Sequence, residues 1–241
     1  MKKHRKILHP SNKSNKVISK KLSKNVSPEI KKIYELLEAY FGDLGWWPAE
    51  SPFEVIVGAI LTQNTAWSNV AKAIESLRKN DLLEPEKILA EKQKSLSCII
   101  RSAGYYRIKA GRLKNVCGFL MKECDGAPEK LRCQDTEVLR KKLLNVKGIG
   151  PETADSILLY ALDKPAFVVD AYTKRIFFRH GLIPENASYD EVRRMVQSSF
   201  PLKIKMLNQY HAVIVETGKR FCRKKSGLCE KCPLKNMLKK I

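Results

Sequence analysis

The chain has 241 residues, enough for one large domain or two modest lobes with a proper core. Apolar residues make up 44%, and no run of 18 or more of them occurs, so no helical membrane span is expected. The 46 Lys and Arg against 25 Asp and Glu leave a net charge of +21, which suits a polyanionic partner.

The N-terminus is basic but lacks the apolar stretch of a secretory signal, so the protein is expected in the cytoplasm, associated with the nucleoid if it binds DNA. Residues 1–28 hold nine Lys or Arg and no acid. Residues 1–26, rich in Lys, Ser and Asn, are expected to form a disordered basic extension. The remaining +12 belongs to the folded part, so a tail alone does not explain the charge.

Order is expected from Ser27-Pro28-Glu29, a helix cap followed by Pro and an acid in the first turn. Ile30, Ile33, Leu36, Leu37 and Tyr40 then recur at helical spacing. Ser51-Pro52-Phe53-Glu54 is a capping-box sequence that opens a helix through Leu61. Val70, Ala73, Ile74 and Leu77 mark the next helix. Weaker helices are predicted over 85–101 and a stronger one over 105–124. Further helices are predicted over 135–144, 151–162, 171–180, 188–198 and 203–218. Only Ala166–Val169 reads as strand-like, too short to build a sheet. The predicted fold class is all-α.

Between two predicted helices lies Leu144-Asn145-Val146-Lys147-Gly148-Ile149-Gly150. Gly148 and Gly150 permit backbone angles closed to other residues. Pro151 falls in the first turn of the following helix, where its missing N–H costs little. Lys147, Gly148, Ile149 and Gly150 are therefore a candidate phosphate site, built from hairpin N–H groups and a helix N-terminus. An ordinary helix–helix corner would use the same glycines. Arg107, Lys109, Arg112 and Lys114 add a basic stretch that suits phosphate contacts or a solvated helix face.

Asp170 ends the apolar run Phe167-Val168-Val169. A carboxylate in that position can stabilise developing positive charge or orient a water, and it can also cap the next helix. The seven cysteines form an odd set without a secretory signal, which argues against a disulfide framework.

Gly148-Ile149-Gly150-Pro151-Glu152-Thr153-Ala154, followed by Val168-Val169-Asp170, resembles the helix–hairpin–helix DNA glycosylases of the endonuclease III superfamily. Ile60-Leu61-Thr62-Gln63-Asn64-Thr65, Gly104-Tyr105-Tyr106-Arg107-Ile108-Lys109-Ala110 and the terminal cysteines match in order, so the resemblance spans residues 29–232. It implies a two-lobed fold: 27–50 with 181–221 as one lobe, 51–180 as the other, the helix–hairpin–helix at 136–162, and a Cys loop at 222–241. It also implies a monomer acting on double-stranded DNA that contains a damaged base, with Asp170 catalytic. Relatives that cut the strand carry a Lys at the position of Glu152. A carboxylate cannot form a Schiff base with a sugar aldehyde, so a monofunctional glycosylase is expected.

Trp46-Trp47-Pro48, the Leu-Thr-Gln-Asn-Thr run, Trp67 and Ala154-Asp155-Ser156-Ile157-Leu158-Leu159-Tyr160 are similar to the bacterial 3-methyladenine DNA glycosylase III subgroup. In that subgroup aromatics sandwich the flipped base, which makes Trp47 and Trp67 candidates, with Trp46 beside them. Gln63 is expected to fill the gap that the flipped nucleotide leaves. An alkylated adenine is cationic, so indoles add a cation–π attraction to stacking. The same scaffold suits a mismatch thymine or uracil glycosylase, a glycosylase/lyase, or a non-catalytic DNA binder.

Cys222, Cys229 and Cys232 match three ligands of the family's [4Fe–4S] loop. The fourth position is Leu238, and no Cys follows it in the sequence, so an incomplete site is expected. A borrowed ligand, zinc with another donor such as Cys124 or Cys133, or a metal-free relic are the alternatives.

Overall fold

The computed structural model describes residues 28–201 and 203–237. The predicted extension, residues 1–26, and the Leu238 position lie outside them. Eleven helices are described: α1 (28–41), α2 (Pro52–Leu61), α3 (Trp67–Lys79), α4 (Pro85–Ala90), α5 (Gln93–Ile99), α6 (Tyr106–Cys124), α7 (Thr136–Leu144), α8 (Pro151–Ser156), α9 (Ala171–Arg179), α10 (Tyr189–Ser199) and α11 (Ile204–Arg220). The all-α class holds among the described residues, whose only β-pairing is an isolated bridge between Cys222 and Gly227. No described helix is long and apolar enough to cross a membrane.

Local chemistry accounts for several helix starts. Ser51 Oγ accepts from the Glu54 N–H at 3.1 Å, as a cap should. The reciprocal half of the predicted capping box is missing, because the Glu54 carboxylate instead accepts from Arg78 of α3 at 2.9 Å. The full box occurs at α10, where Ser188 and Glu191 satisfy each other's backbone. Asp135 caps α7 by accepting from the N–H groups of Glu137 and Val138. The stretch 85–101 resolves into two short helices, since Glu91 and Lys92 take extended backbone angles between them.

Buried side chains gather into two clusters. One draws on residues from Phe53 to Ala166 and is built around α2, which is buried from Phe53 through Leu61. A helix apolar on all sides belongs inside a bundle. The other joins Ile30, Ile33 and Leu37 of α1 to residues from Leu159 to Leu234. The two cores part between Leu159 and Ala166, so α9 packs with the terminal helices and not with the central group. The apolar face of α9 dictates this: Ile176 and Phe177 are fully buried in the second cluster.

Ala166–Val169 has no regular secondary structure, and it passes from one core into the other with every side chain buried. Burial from all sides explains why it reads as a strand without being one. Helix α8 continues into a π-helical turn, Ile157–Ala161. Tyr160, on that turn, packs against both clusters and so marks the seam between them. Gly218 of α11 allows Tyr172 of α9 to lie against its backbone, where a Cβ would meet the ring at 2.2 Å.

Candidate active site and hairpin

Asp170 is the N-cap of α9. Its Oδ1 accepts from the Thr173 N–H at 2.7 Å and the Thr173 hydroxyl at 2.9 Å. Its Oδ2 faces His211 Nε2 of α11 at 3.7 Å, an ion-pair distance longer than a hydrogen bond. The capping and chemical readings of Asp170 are thus divided between its two oxygens. Burial pushes its pKa up, but His211 and the Thr173 donors outweigh this and hold it below the ordinary carboxylate value.

Tyr160 and His211 complete the cluster. The Tyr160 hydroxyl lies 2.5 Å from His211 Nδ1. Burial and the Asp170 charge hold the phenol well above its usual pKa, so it keeps its proton. With Tyr160 donating to Nδ1, the opposite nitrogen of His211 is turned toward Asp170. That nitrogen is buried and has no hydrogen-bond partner. Glu152 stands nearby. Its side chain is exposed, yet the dense protein around it and the Asp170 charge raise its pKa, with His211 opposing. The arrangement is a buried, ionised carboxylate with one uncommitted oxygen, in a setting where a second carboxylate is repelled.

The tryptophans gather on the same side. The loop that carries Trp46 and Trp47 is tied to α11: Gln209 accepts from the Leu44 N–H and donates to the Gly42 carbonyl. Trp47 meets Trp67 edge to face, with centroids 5.2 Å apart and planes at 87°, and it lies 5.1 Å from the Tyr160 ring. Trp47 and Trp67 therefore touch, and they do not stand as parallel plates with a slot for a base. Trp46 lies under the Lys219 ammonium, 5.0 Å from the ring centroid. The indole nitrogens of Trp46 and Trp47 are buried without partners.

The hairpin is braced from behind by the turn after α2 and by α6. Gln63 donates to the Gly148 carbonyl at 3.2 Å and to the Thr153 hydroxyl at 2.9 Å, and it accepts from Arg112. Its amide is committed to the hairpin in this structure. Asn115 donates to the Lys147 carbonyl at 2.9 Å. Ile149 is buried, and its N–H is used within the turn by Val146. It therefore anchors the loop, while Lys147 and Gly150 stay exposed. Gly148 has φ +97°, and a Cβ there would sit 2.4 Å from Arg112 Cγ. Gly148→Ala is expected to cost about 1–2 kcal/mol of stability in urea unfolding.

The basic stretch on α6 needs correction. Lys109 is only 1% exposed, and its ammonium donates at 2.7 Å to the Leu61 and Ala103 carbonyls and the Thr65 hydroxyl. Lys114 donates to the Leu89 carbonyl at 2.7 Å. Lys109 therefore holds the fold together and is not free for a phosphate, whereas Lys114 is half-buried and commits one donor to the fold. The Gly-Tyr-Tyr-Arg-Ile-Lys-Ala run therefore locks α6 to the end of α2.

Cys222, Cys229 and Cys232 line one cavity, with Ile176, Arg179 and His180 among its other walls. Neither Cys124 nor Cys133 is part of that lining. Arg179 donates to Cys222 Sγ at 3.2 Å. Among the described residues, no three His, Cys, Asp or Glu side chains converge closely enough to hold a single metal ion.

Composition and spacing alone did not disclose His211, Thr173 or the buried Lys109. His211 carries a signal only in retrospect, as one of four histidines in the chain.

An all-helical fold with a glycine hairpin and a capped, ionised aspartate at the seam of two cores defines a class of DNA repair enzyme. The chain belongs to the HhH-GPD superfamily of base excision DNA repair proteins, whose family pattern matches residues 57–202. It is 50% identical over 215 residues to "Putative DNA repair glycosylase MJ1434" of Methanocaldococcus jannaschii, covering 89% of this chain and 97% of that one. Among solved structures, an endonuclease III–DNA complex aligns with a TM-score of 0.76 at 23% identity, over 88% of this chain and 95% of that chain. The Helicobacter pylori 3-methyladenine DNA glycosylase MagIII, bound to 1,N6-ethenoadenine, aligns with a TM-score of 0.66 at 30% identity, over 82% of this chain and 97% of that chain.

Proposed function

We propose that this DNA glycosylase is monofunctional and removes an alkylated purine, such as 3-methyladenine, from duplex DNA. The observation that carries the reading is the divided carboxylate of Asp170, ionised and buried beside His211, with Glu152 where a lyase would need an amine. Asp170 Oδ2 stabilises the oxocarbenium-like sugar as the base departs and orients the attacking water. His211, held by Tyr160, acts on Asp170 as a positioning residue. The exposed hairpin backbone and Lys147 hold the phosphate, which makes binding fall steeply with salt.

The alkylpurine preference is supported by the 30% likeness to a 3-methyladenine glycosylase and by the Trp46, Trp47, Trp67 and Tyr160 aromatics around the site. A cationic base is already a good leaving group, so one carboxylate suffices. Stacking on indoles contributes about 1–3 kcal/mol per base. Entry of a base requires Trp47 and Trp67 to separate or one of their outer faces to serve. An iron–sulfur group held by Cys222, Cys229 and Cys232 would supply a structural cross-link to the last described segment and no step of base release.

The test is an oligonucleotide panel carrying 3-methyladenine, uracil opposite guanine, or a T·G mismatch, assayed with and without alkali. Strand breaks only after alkali, strongest with 3-methyladenine, are expected. Preference for uracil or thymine would replace the substrate assignment, and alkali-independent cleavage would replace the monofunctional one. A gain-of-function variant probes the same point. Glu152→Lys is expected to acquire a borohydride-trapped covalent adduct with damaged DNA that the parent protein does not form.

A further inference from the structure

We infer that His180 supplies the fourth ligand that the cysteine loop lacks, so that Cys222, Cys229, Cys232 and His180 together hold one [4Fe–4S] cluster. His180 is the C-cap of α9 and is 7% exposed. Its Nδ1 is buried without a hydrogen-bond partner, and the residue lines the same cavity as the three cysteines. A buried imidazole nitrogen left unpaired costs free energy that a fold does not retain without compensation. A metal is the partner that an imidazole lone pair among three thiols would take.

The rest of the cavity fits. Gly227 leaves space for a sulfur: a Cβ there would lie 2.9 Å from Cys229 Sγ and 3.8 Å from the Arg179 guanidinium. Arg179 already donates to Cys222 Sγ, as a donor tuning a thiolate would. Leu234, fully buried, closes the apolar side.

A cluster fits better than zinc. On zinc, each sulfur lies about 2.3 Å from the ion, which brings the donors to within about 4 Å of one another. No such convergence exists among the described residues. A cluster takes its four ligands on four separate irons and so accepts donors set farther apart around a common void. On loading, each thiol gives up its proton to solvent and the neutral imidazole binds through Nδ1.

Helix α9 then has a ligand at its C-cap and Asp170 at its N-cap, ten residues and about 15 Å apart along the axis. The ligation is independent of which base the enzyme removes.

The test uses the full chain, reconstituted anaerobically with ferrous iron and sulfide. Wild type is expected to take up four irons, and pulsed EPR of the reduced protein is expected to show a nitrogen coupling that changes on 15N-histidine labelling. His180→Cys should keep the visible absorption, lose the nitrogen coupling and lower the reduction potential. His180→Ala should lose most of its iron. A four-iron protein without nitrogen coupling, uptake of zinc in place of iron, or no metal uptake overturns the assignment. The coupling is read on wild type, so the test stands even if a variant fails to fold.

Discussion

Asp170→Asn is expected to lower the rate of base release about 10²–10⁴-fold in single-turnover assays, with DNA affinity changed little. Asn is as good an N-cap as Asp, so the Thr173 N–H keeps an acceptor and α9 keeps its start. What is removed is the charge on Oδ2, the oxygen facing His211. Asp170→Ala should lose stability as well as rate, which separates the cap from the chemistry. Excision retained in the Asn variant would end the proposed mechanism.

The same carboxylate makes a prediction about pH. Its ionised form is favoured in the fold, so the stability it contributes is complete above the unfolded carboxylate pKa of about 3.9. That contribution is lost as pH falls through the lower folded value. Loss of Asp170 charge therefore cannot produce a fall in excision rate between about pH 5 and 7. The pH–rate profile of excision is therefore expected to show no limb from Asp170 in that range, and a fall there that Asp170→Glu shifts would overturn the assignment.

The largest stability effect is expected at Asp155. This carboxylate is fully buried in α8. Arg140 of α7 holds it through two bonds, at 2.7 and 3.2 Å, and Arg193 of α10 approaches to 3.4 Å. Arg140 continues to Asp190 and Arg193 to Glu137. The network pins the second helix of the hairpin unit to the terminal helices. Burial raises the Asp155 pKa and the two arginines oppose it. Asp155→Ala leaves two buried guanidiniums without their shared partner and is expected to destabilise by about 3–5 kcal/mol in urea unfolding. A loss below about 1 kcal/mol would place the network with ordinary surface pairs.

Helix identity was legible because it rests on local rules. Ser51, Asp135, Ser188 and Asp170 each stand where a cap is needed, and apolar spacing located the α-helices of the described chain except for the break at Glu91–Lys92, while the short 3-10 turns such as Pro128–Cys133 were not foreseen. The glycine hairpin and Asp170 were legible because their chemistry is compact in sequence. Contacts across long separations were not. Lys109 read as a surface cation, because nothing near it in sequence announces that the Leu61 and Ala103 carbonyls converge on its ammonium.

The sequence by itself therefore determined an all-helical, basic, DNA-directed chain with a hairpin, a candidate carboxylate and a cysteine loop one thiol short. Those features depend on neighbours within a few residues, where propensity, capping and spacing act. Only the tertiary structure decided which partners those groups meet. It set His211 against Asp170, Gln63 into the hairpin, Trp47 edge-on to Trp67, and His180 into the cysteine cavity. Each of these pairs joins separate segments through buried packing, and a buried polar atom is costly unless the fold as a whole supplies its partner.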